Sequence, residues 1–395
     1  MPAISSSARS ATAEAITTQP ARLEFIDNLR WLMILLVISM HAAVTYSHLG
    51  SWYFMEDPKP GLGETVGFAA YQTFLQAFFM GFLFFIAGYF VPPAFDRKGF
   101  GKFLHDRAIR LGIPSLFYML AIHPLIVYWM LKDYFHIKSP FLDSYRHDIL
   151  SLRFLGNSGP MWFAVALLIF CLCYGLFRVV RRNAPHNRFE AALPTHSQVA
   201  IFAFIMGLCT FLVRIVQPMG TSILNMQLCY FSQYILLFGA GILARRRNWV
   251  MRIPYSFGMG WFYLALIPGS LAWIGMVAAI VRNHSEAGIN GGLTWQSAAI
   301  CFWEAFFCMG VCLGLTVWFR DQFNHQGRAA KWMSDNSFSV YLFHPPLLIA
   351  ITLLMHDFAA PKAVKFLIAT ILAAAVTWSA SSLVFRRIPL LRRVL

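Results

Sequence analysis

The sequence predicts an all-α integral membrane protein with about ten transmembrane helices and both termini in the cytoplasm. Hydrophobic residues make up 58% of the chain and charged residues only 12%, whereas a soluble protein carries about 25% charged residues. The mean hydropathy is +0.59. Several apolar runs also reach the roughly 20 residues that a helix needs to cross about 30 Å of hydrocarbon. Together these observations exclude a soluble globular protein.

The predicted spans follow one another without a second soluble domain. Residues 22–390 are therefore predicted to form one ten-helix membrane domain. A disordered cytoplasmic tail (1–21), rich in Ser, Thr and Ala, precedes it, and a short basic tail (391–395) follows it. The ten spans are predicted near residues 29–47, 67–91, 111–131, 160–178, 199–217, 227–244, 256–281, 297–319, 338–355 and 363–385.

Lysine and arginine residues are distributed unequally between the two sides of this predicted bundle. With the N-terminus inside, 23 of the 32 fall on the cytoplasmic side and eight on the outer side, while Arg214 lies within a span. This is the positive-inside distribution. The net charge of +15 follows from that topology and from the attraction of basic loops to anionic lipid. No nucleic-acid-binding motif is present, so the expected partner is the lipid bilayer and not nucleic acid.

Arg30 and His41 bracket the first predicted span. Because successive residues of an α-helix are about 100° apart, a step of eleven residues returns to within about 20° of its starting direction. Both side chains therefore share one face, about 16 Å apart along the axis. Ionisable groups inside a membrane are functional-site candidates. The alternative is a snorkelling arginine and a histidine that is hydrogen-bonded to a neighbouring helix.

Arg107 and Arg110 lie three residues apart at the start of the third predicted span, so they are expected to face the same way. They are also expected at the same membrane face as Arg30. Guanidinium groups bind phosphate through two parallel hydrogen bonds, and three converging arginines suit a phosphorylated ligand. The alternative is that they contact lipid phosphates, as other positive-inside residues do.

His41, Arg214 and Glu304 are expected at similar depth, roughly 18–22 Å above the inner boundary by helical rise. A lone carboxylate and a lone guanidinium at one depth favour a buried ion pair. In the alternative, Glu304 orients His41 and holds its tautomer, as carboxylates do for catalytic imidazoles.

His344 lies in the run Ser339-Val-Tyr-Leu-Phe-His-Pro-Pro346, where the two prolines free backbone carbonyls and bend a helix. It is expected about one turn above the cytoplasmic end of the ninth span, as a core histidine with satisfied hydrogen bonds. All seven cysteines fall in apolar spans, where they are interpreted as packing residues. Nothing has the spacing of metal ligands, so no metal site is predicted.

Several short motifs together resemble membrane acyltransferase family 3 over roughly residues 22–393. After the Arg30–His41 pair come Phe84-Phe-Ile-Ala-Gly-Tyr-Phe90, Arg107-Ala-Ile-Arg-Leu-Gly-Ile-Pro114, Gly159-Pro-Met-Trp-Phe163, Asn336-Ser-Phe-Ser-Val-Tyr-Leu-Phe-His-Pro-Pro346 and Arg387-Ile-Pro-Leu-Leu391. The segment Leu23-Glu-Phe-Ile-Asp-Asn-Leu-Arg30 is similar to the branch that adds succinyl groups to periplasmic glucans. The chain departs from that branch at Gly159-Pro-Met-Trp162, where a histidine before Leu-Trp is usual.

The resemblance implies O-acyl transfer from cytoplasmic acyl-CoA, as acetyl-CoA or succinyl-CoA, to a hydroxyl of a periplasmic or extracellular carbohydrate such as a glucan. It also implies the bacterial inner membrane and no permanently bound cofactor. The site residues expected on this interpretation are His41 and Glu304 for catalysis, Arg30, Arg107 and Arg110 for the CoA phosphates, and Trp162 and His344 for substrate.

The Arg30–His41 spacing of about 16 Å suits this function, because it matches the length of an acyl-pantetheine arm. His41 would take the proton of the acceptor hydroxyl or form a covalent acyl-histidine. The alternative function is a proton-coupled transporter or flippase of a polar or glycan substrate, which intramembrane His, Glu and Arg also suit. Against it, the sequence has no convincing internal repeat.

Overall fold

The structure is a computed structural model that describes residues 22–181, 191–285 and 288–388. The predicted tails 1–21 and 391–395 lie outside these residues. An isolated bridge between Ile223 and Met226 is the β-pairing found in the described ranges, and the prediction of an all-α fold is confirmed. The α-helices are α1 (Glu24–Ser47), α2 (Leu62–Gln76), α3 (Phe79–Arg107), α4 (Ile113–Phe117), α5 (Phe141–Leu150), α6 (Trp162–Val180), α7 (His196–Val216), α8 (Phe231–Arg246), α9 (Trp249–Arg252), α10 (Tyr255–Arg282), α11 (Trp295–Gln322), α12 (Arg328–Leu354) and α13 (Lys362–Leu383).

Nine helical runs in the described part of the chain are long and apolar enough to cross a membrane. One of them, Leu62–Met130, has 69 residues, which at about 1.5 Å per residue is more than three times the roughly 30 Å of hydrocarbon. This run bends at Gly99, whose φ of 69° is a conformation that favours glycine. Each part of the run, 62–98 and 100–130, is longer than the roughly 20 residues of one crossing. The run thus has length for two crossings, which agrees with the prediction of about ten spans.

Contacts with the start of α6 show that the chain reverses at Gly99. Phe84, before the bend, has its ring centroid 4.6 Å from that of Phe163. Tyr118, after the bend, packs closely against Gly159. Because residues on both sides of Gly99 meet the same end of α6, the part of α3 before Gly99 and the segment 108–130 run in opposite directions.

The segment 108–130 winds partly as π-helix, in the turns Ala108–Gly112, Tyr118–Ile122 and Leu125–Met130. Pro114 and Pro124 each remove a helical N–H donor, and π-turns carry one extra residue per hydrogen-bonded loop. The first π-turn begins directly after Arg107 and contains Arg110. The α-helical spacing rule that predicts a shared face for these two arginines therefore does not hold there.

The helix that carries the ninth predicted span, α12, begins ten residues before the predicted start of that span, at Arg328. Its first turns are polar and carry an i,i+4 ion pair between Lys331 and Asp335 at 3.1 Å, which supports helix outside the hydrocarbon. Hydropathy marks the apolar part of a helix and not its ends. His344 lies about 24 Å from the start of α12 and contacts His41, so it is deeper in the bundle than the expected one turn above the end of the span.

The two described ends of the chain lie on one side of the bundle. Arg22 has its Nη2 3.6 Å from Oδ1 of Asp335, and Nη1 of Arg386 donates to Oδ1 of Asn336 at 3.4 Å. This agrees with an even number of crossings. That this side faces the cytoplasm stays a prediction.

Candidate active site

His41 of α1 and His344 of α12 meet inside the membrane domain. Both helices begin on the same side, since Nδ2 of Asn28 donates to the carbonyl of Phe323, just before α12, at 2.8 Å. His41 lies about 26 Å from the start of α1 and His344 about 24 Å from the start of α12 by helical rise. The two rings therefore lie at one depth, with Nδ1 of His41 2.9 Å from Nε2 of His344.

The hydrogen bonds of His344 determine the tautomers of both rings. Its Nδ1 is 2.9 Å from the carbonyl oxygen of Tyr341, and because a carbonyl only accepts, Nδ1 of His344 carries the proton. In the neutral ring Nε2 is then an acceptor, so Nδ1 of His41 donates to it. His41 is left with an unprotonated Nε2, for which the described residues provide no partner.

The sequence explains why the Tyr341 carbonyl is available. In an α-helix that carbonyl bonds to the N–H four residues later, but position 345 is proline and has no N–H. The His344 imidazole takes the vacant acceptor. The Pro-Pro pair thus fixes the orientation and tautomer of the preceding histidine, and His344 is fully buried while His41 is partly exposed.

Aromatic side chains surround the paired histidines. The indole of Trp52, from the segment between α1 and α2, stacks on His41 with centroids 3.8 Å apart and planes 10° from parallel. Next to it, the hydroxyl of Tyr53 lies 3.1 Å from that of Tyr118 and 2.9 Å from Nδ1 of His123. None of these contacts was predicted; the Trp-Tyr-Phe run in an otherwise polar connection is the signal that points to them.

The motif Gly159-Pro-Met-Trp162 is attached to the same region through its backbone. The hydroxyl of Tyr341 donates to the carbonyl of Pro160, and Gly159 has a positive φ of 48° with the Tyr118 ring against its Cα. The ring of Trp162 stacks on that of Tyr234, with centroids 5.7 Å apart. A substrate contact of Trp162 stays a prediction.

Glu304 and Arg214 form the buried ion pair that their common depth predicts. Nη2 of Arg214 donates to Oε2 of Glu304 at 2.6 Å, and Arg214 is fully buried. Its guanidinium also lies 5.0 Å from the Tyr230 ring centroid. The position beside Nδ1 of His41 that Glu304 would need in order to orient it is taken by His344. A catalytic role of Glu304 stays a prediction, while the structure gives it a partner in α7.

Neutralising one member of the Arg214–Glu304 pair is expected to destabilise the protein more than neutralising both. Removing one partner of a buried pair leaves an uncompensated charge and typically costs about 3–5 kcal/mol. Arg214→Gln and Glu304→Gln should each lower the thermal stability of the detergent-solubilised protein strongly, and the double variant should recover part of the loss. Additive losses in the double variant would contradict the pair as a coupled unit.

The convergence of Arg30, Arg107 and Arg110 on one phosphate site stays a prediction. Arg110 lies close enough to Arg30 for their charges to interact. Nη1 of Arg30 also lies 3.4 Å from Oδ1 of Asp27. Arg107 instead lies over the ring of Phe103, 5.4 Å from its centroid.

These features define a polytopic membrane protein with a hydrogen-bonded pair of histidines deep in its helix bundle, and ionisable groups in such a position are functional-site candidates. The chain matches the family described as Acyltransferase domain over residues 23–382. It belongs to this family, acyltransferase family 3, and is a membrane acyltransferase.

The chain is also similar to Glucans biosynthesis protein C of Salmonella schwarzengrund (strain CVM19633), of Salmonella agona (strain SL483) and of Salmonella heidelberg (strain SL476). Each is 26% identical over 243 residues, which cover 58% of this chain and 60% of the relative. The similarity thus spans less than two thirds of those proteins. No solved structure matches the chain significantly.

Proposed function

We propose that this acyltransferase moves an acetyl or succinyl group from acyl-CoA at the cytoplasmic face to a carbohydrate hydroxyl at the outer face of a bacterial inner membrane. The observation that carries the proposal is the chain of hydrogen-bonding contacts Tyr341–His344–His41, which ends at an Nε2 of His41 without a partner among the described residues. The tautomers inferred from this chain leave that nitrogen unprotonated. A lone pair held in one orientation within the membrane suits a general base.

The cationic face supports acyl-CoA as the donor. CoA phosphates need cations and do not enter hydrocarbon, whereas the acyl-pantetheine arm is long and largely apolar. The charges of Arg30 and Arg110 lie close enough to interact, and Arg30 is about 16 Å along α1 from His41. The phosphates would bind these guanidinium groups while the thioester reaches the imidazole.

The reaction follows from the tautomers. Nε2 of His41 takes the proton of the acceptor hydroxyl as its oxygen attacks the thioester carbonyl carbon, and the carbonyl π electrons move onto the carbonyl oxygen. When this oxyanion collapses, the C–S bond breaks, and the CoA thiolate takes the proton back from Nε2. The products are an ester and free CoA. While His41 is protonated, its Nδ1–H bond to His344 shares the positive charge along the chain to the Tyr341 carbonyl.

Two observations support a carbohydrate acceptor. The relatives named Glucans biosynthesis protein C are proteins of glucan metabolism by that name. In addition, the segment between α1 and α2 places the indole of Trp52 on His41 and the hydroxyl of Tyr53 beside His123. Aromatic faces and hydroxyls are suited to sugar rings and their hydroxyl groups. Glucan hydroxyls are thus the proposed acceptors.

The proposal is tested with purified full-length protein, ¹⁴C-labelled succinyl-CoA or acetyl-CoA, and a soluble oligoglucoside. We expect label to appear on the glucoside as an alkali-labile ester with one of the two donors. Without acceptor we expect slow hydrolysis of that donor, because water replaces the hydroxyl. Absence of both ester and hydrolysis with either donor would overturn the proposed donor class.

Replacing Arg30 by lysine is expected to raise the Kd for acyl-CoA about three- to tenfold, and Arg30→Ala at least tenfold. Lysine keeps the charge but loses the planar fork that binds phosphate with two hydrogen bonds. Binding of acyl-CoA by calorimetry gives the measurement, and Arg146→Lys on the exposed helix α5 is the matched control. An unchanged Kd in Arg30→Ala would return Arg30 to a role in lipid contact.

A further inference from the structure

The segment that joins α1 to α2 is fixed over the histidine pair by a buried carboxylate. The backbone N–H of Glu56 donates to the carbonyl of Thr45 at 2.9 Å. Its Oε1 accepts from Nζ of Lys362 and of Lys365, both at 2.8 Å. Glu56 is 1% exposed and Lys365 is 4% exposed. This triple contact holds the segment between α1 and α13, so Trp52, four residues before Glu56, has a fixed position.

Trp52 has an unusual combination of contacts. Its ring lies face to face with His41 at 3.8 Å, while its Nε1–H is buried and has no hydrogen-bond partner in the structure. Other indoles of the chain do find acceptors: that of Trp303 donates to Gly269 at 2.8 Å, and that of Trp378 to Met333 at 3.1 Å. A buried donor without an acceptor is costly and calls for a specific explanation.

The proposed reaction brings an acceptor atom to the imidazole on which this indole is stacked. The attacking oxygen must lie about 2.6–3.2 Å from Nε2 of His41, and the thioester carbon about 3–3.5 Å from that oxygen. The carbonyl oxygen is bonded to that carbon. The indole of Trp52 is stacked on the imidazole that holds these atoms, with ring centroids 3.8 Å apart, and its Nε1–H has no acceptor of its own.

We propose that Nε1–H of Trp52 donates a hydrogen bond to the carbonyl oxygen of the acyl group as it becomes an oxyanion. This rests on the proposed function and adds a catalytic residue to it. No proton leaves Trp52: the donor neutralises part of the charge while the C–O bond to the acceptor forms, and it releases the oxygen when the C–S bond breaks. A donor that is fixed before the reaction acts without reorganisation, which is the main source of oxyanion stabilisation in enzymes.

The test separates the N–H group of Trp52 from its ring. Trp52→Phe keeps an aromatic face on His41 and removes the donor, and benzothienylalanine at position 52 keeps the full bicyclic shape with sulfur in place of N–H. For each we expect kcat to fall about 10²–10³-fold, the loss typical of one oxyanion donor, with the KM for acyl-CoA within about twofold of the wild type. Trp318→Phe, on the partly exposed face of α11, is the matched control and should keep full activity.

The opposite pattern would overturn the proposal. If benzothienylalanine at position 52 retains kcat within about threefold of the wild type while Trp52→Ala is inactive, the indole acts by packing alone. If the Trp52→Phe protein does not fold, the protein with benzothienylalanine at position 52 provides the test alone. Failure of the proposed function is recognised separately, because wild-type protein would then show no transfer or His41→Ala would keep it.

Discussion

Replacing His41 by alanine is expected to lower the rate of acyl transfer at least 10²–10⁴-fold, the range that loss of a general base typically costs. The variant should still insert in the membrane and bind acyl-CoA nearly as well as the wild type, because the CoA phosphates bind at Arg30 and Arg110, about 16 Å away. The loss is expected for proton abstraction and also for a covalent acyl-histidine, since both use Nε2 of His41.

The measurement is kcat with the donor and acceptor that the wild type uses, together with the Kd for acyl-CoA. His147→Ala is the matched control, because His147 lies exposed on α5. Near wild-type transfer in His41→Ala would remove the centre of the proposed mechanism. A large rise in Kd at unchanged kcat would make His41 a binding residue.

Replacing His344 by phenylalanine is expected to lower kcat about 10³–10⁴-fold with little change in the Kd for acyl-CoA. Phenylalanine fills the buried space but accepts no hydrogen bond, so Nδ1 of His41 loses its partner and the ring is free to take the other tautomer. In serine proteases, the corresponding change at the carboxylate that orients the catalytic histidine costs about 10⁴-fold.

A conservative variant distinguishes orientation from packing. His344→Gln offers an amide oxygen to Nδ1 of His41, and we expect it to recover at least tenfold over His344→Phe. The profile of kcat against pH should also move in His344→Phe, because the protonated His41 loses its hydrogen-bond acceptor. Equal activity of the two variants, or an unmoved pH profile, would assign His344 a purely structural role.

The helical parts of the site were predictable because helical periodicity is regular. Arg30 and His41 share a face of α1 as their spacing predicts, and the common depth of Arg214 and Glu304 predicts the ion pair that the structure contains. The contact between His41 and His344 was not predicted. The contact is missed because the depth of His344 is counted from residue 338 in the sequence prediction, whereas α12 begins more than two turns earlier, at Arg328. The first turns of α12 are polar and carry no hydropathy signal.

The non-helical part of the site depends on contacts that a single sequence does not encode locally. Trp52 reaches His41 because Glu56 binds Lys362 and Lys365, which are more than 300 residues away in the chain. No periodicity connects these positions. Likewise, the π-turn after Arg107 breaks the three-residue spacing rule, because proline content indicates where a helix is perturbed but not which turn it adopts.

The tautomer of His41 tests the central claim most directly, since the mechanism requires a proton on Nδ1 and none on Nε2. Solid-state ¹⁵N NMR of histidine-labelled protein in lipid distinguishes protonated from bare ring nitrogens among the 12 histidines of the chain. The His41 signals are assigned by their loss in His41→Ala. We predict a protonated Nδ1 that is hydrogen-bonded to nitrogen and a bare Nε2. A His41 ring with its proton on Nε2 and a bare Nδ1 would contradict the account.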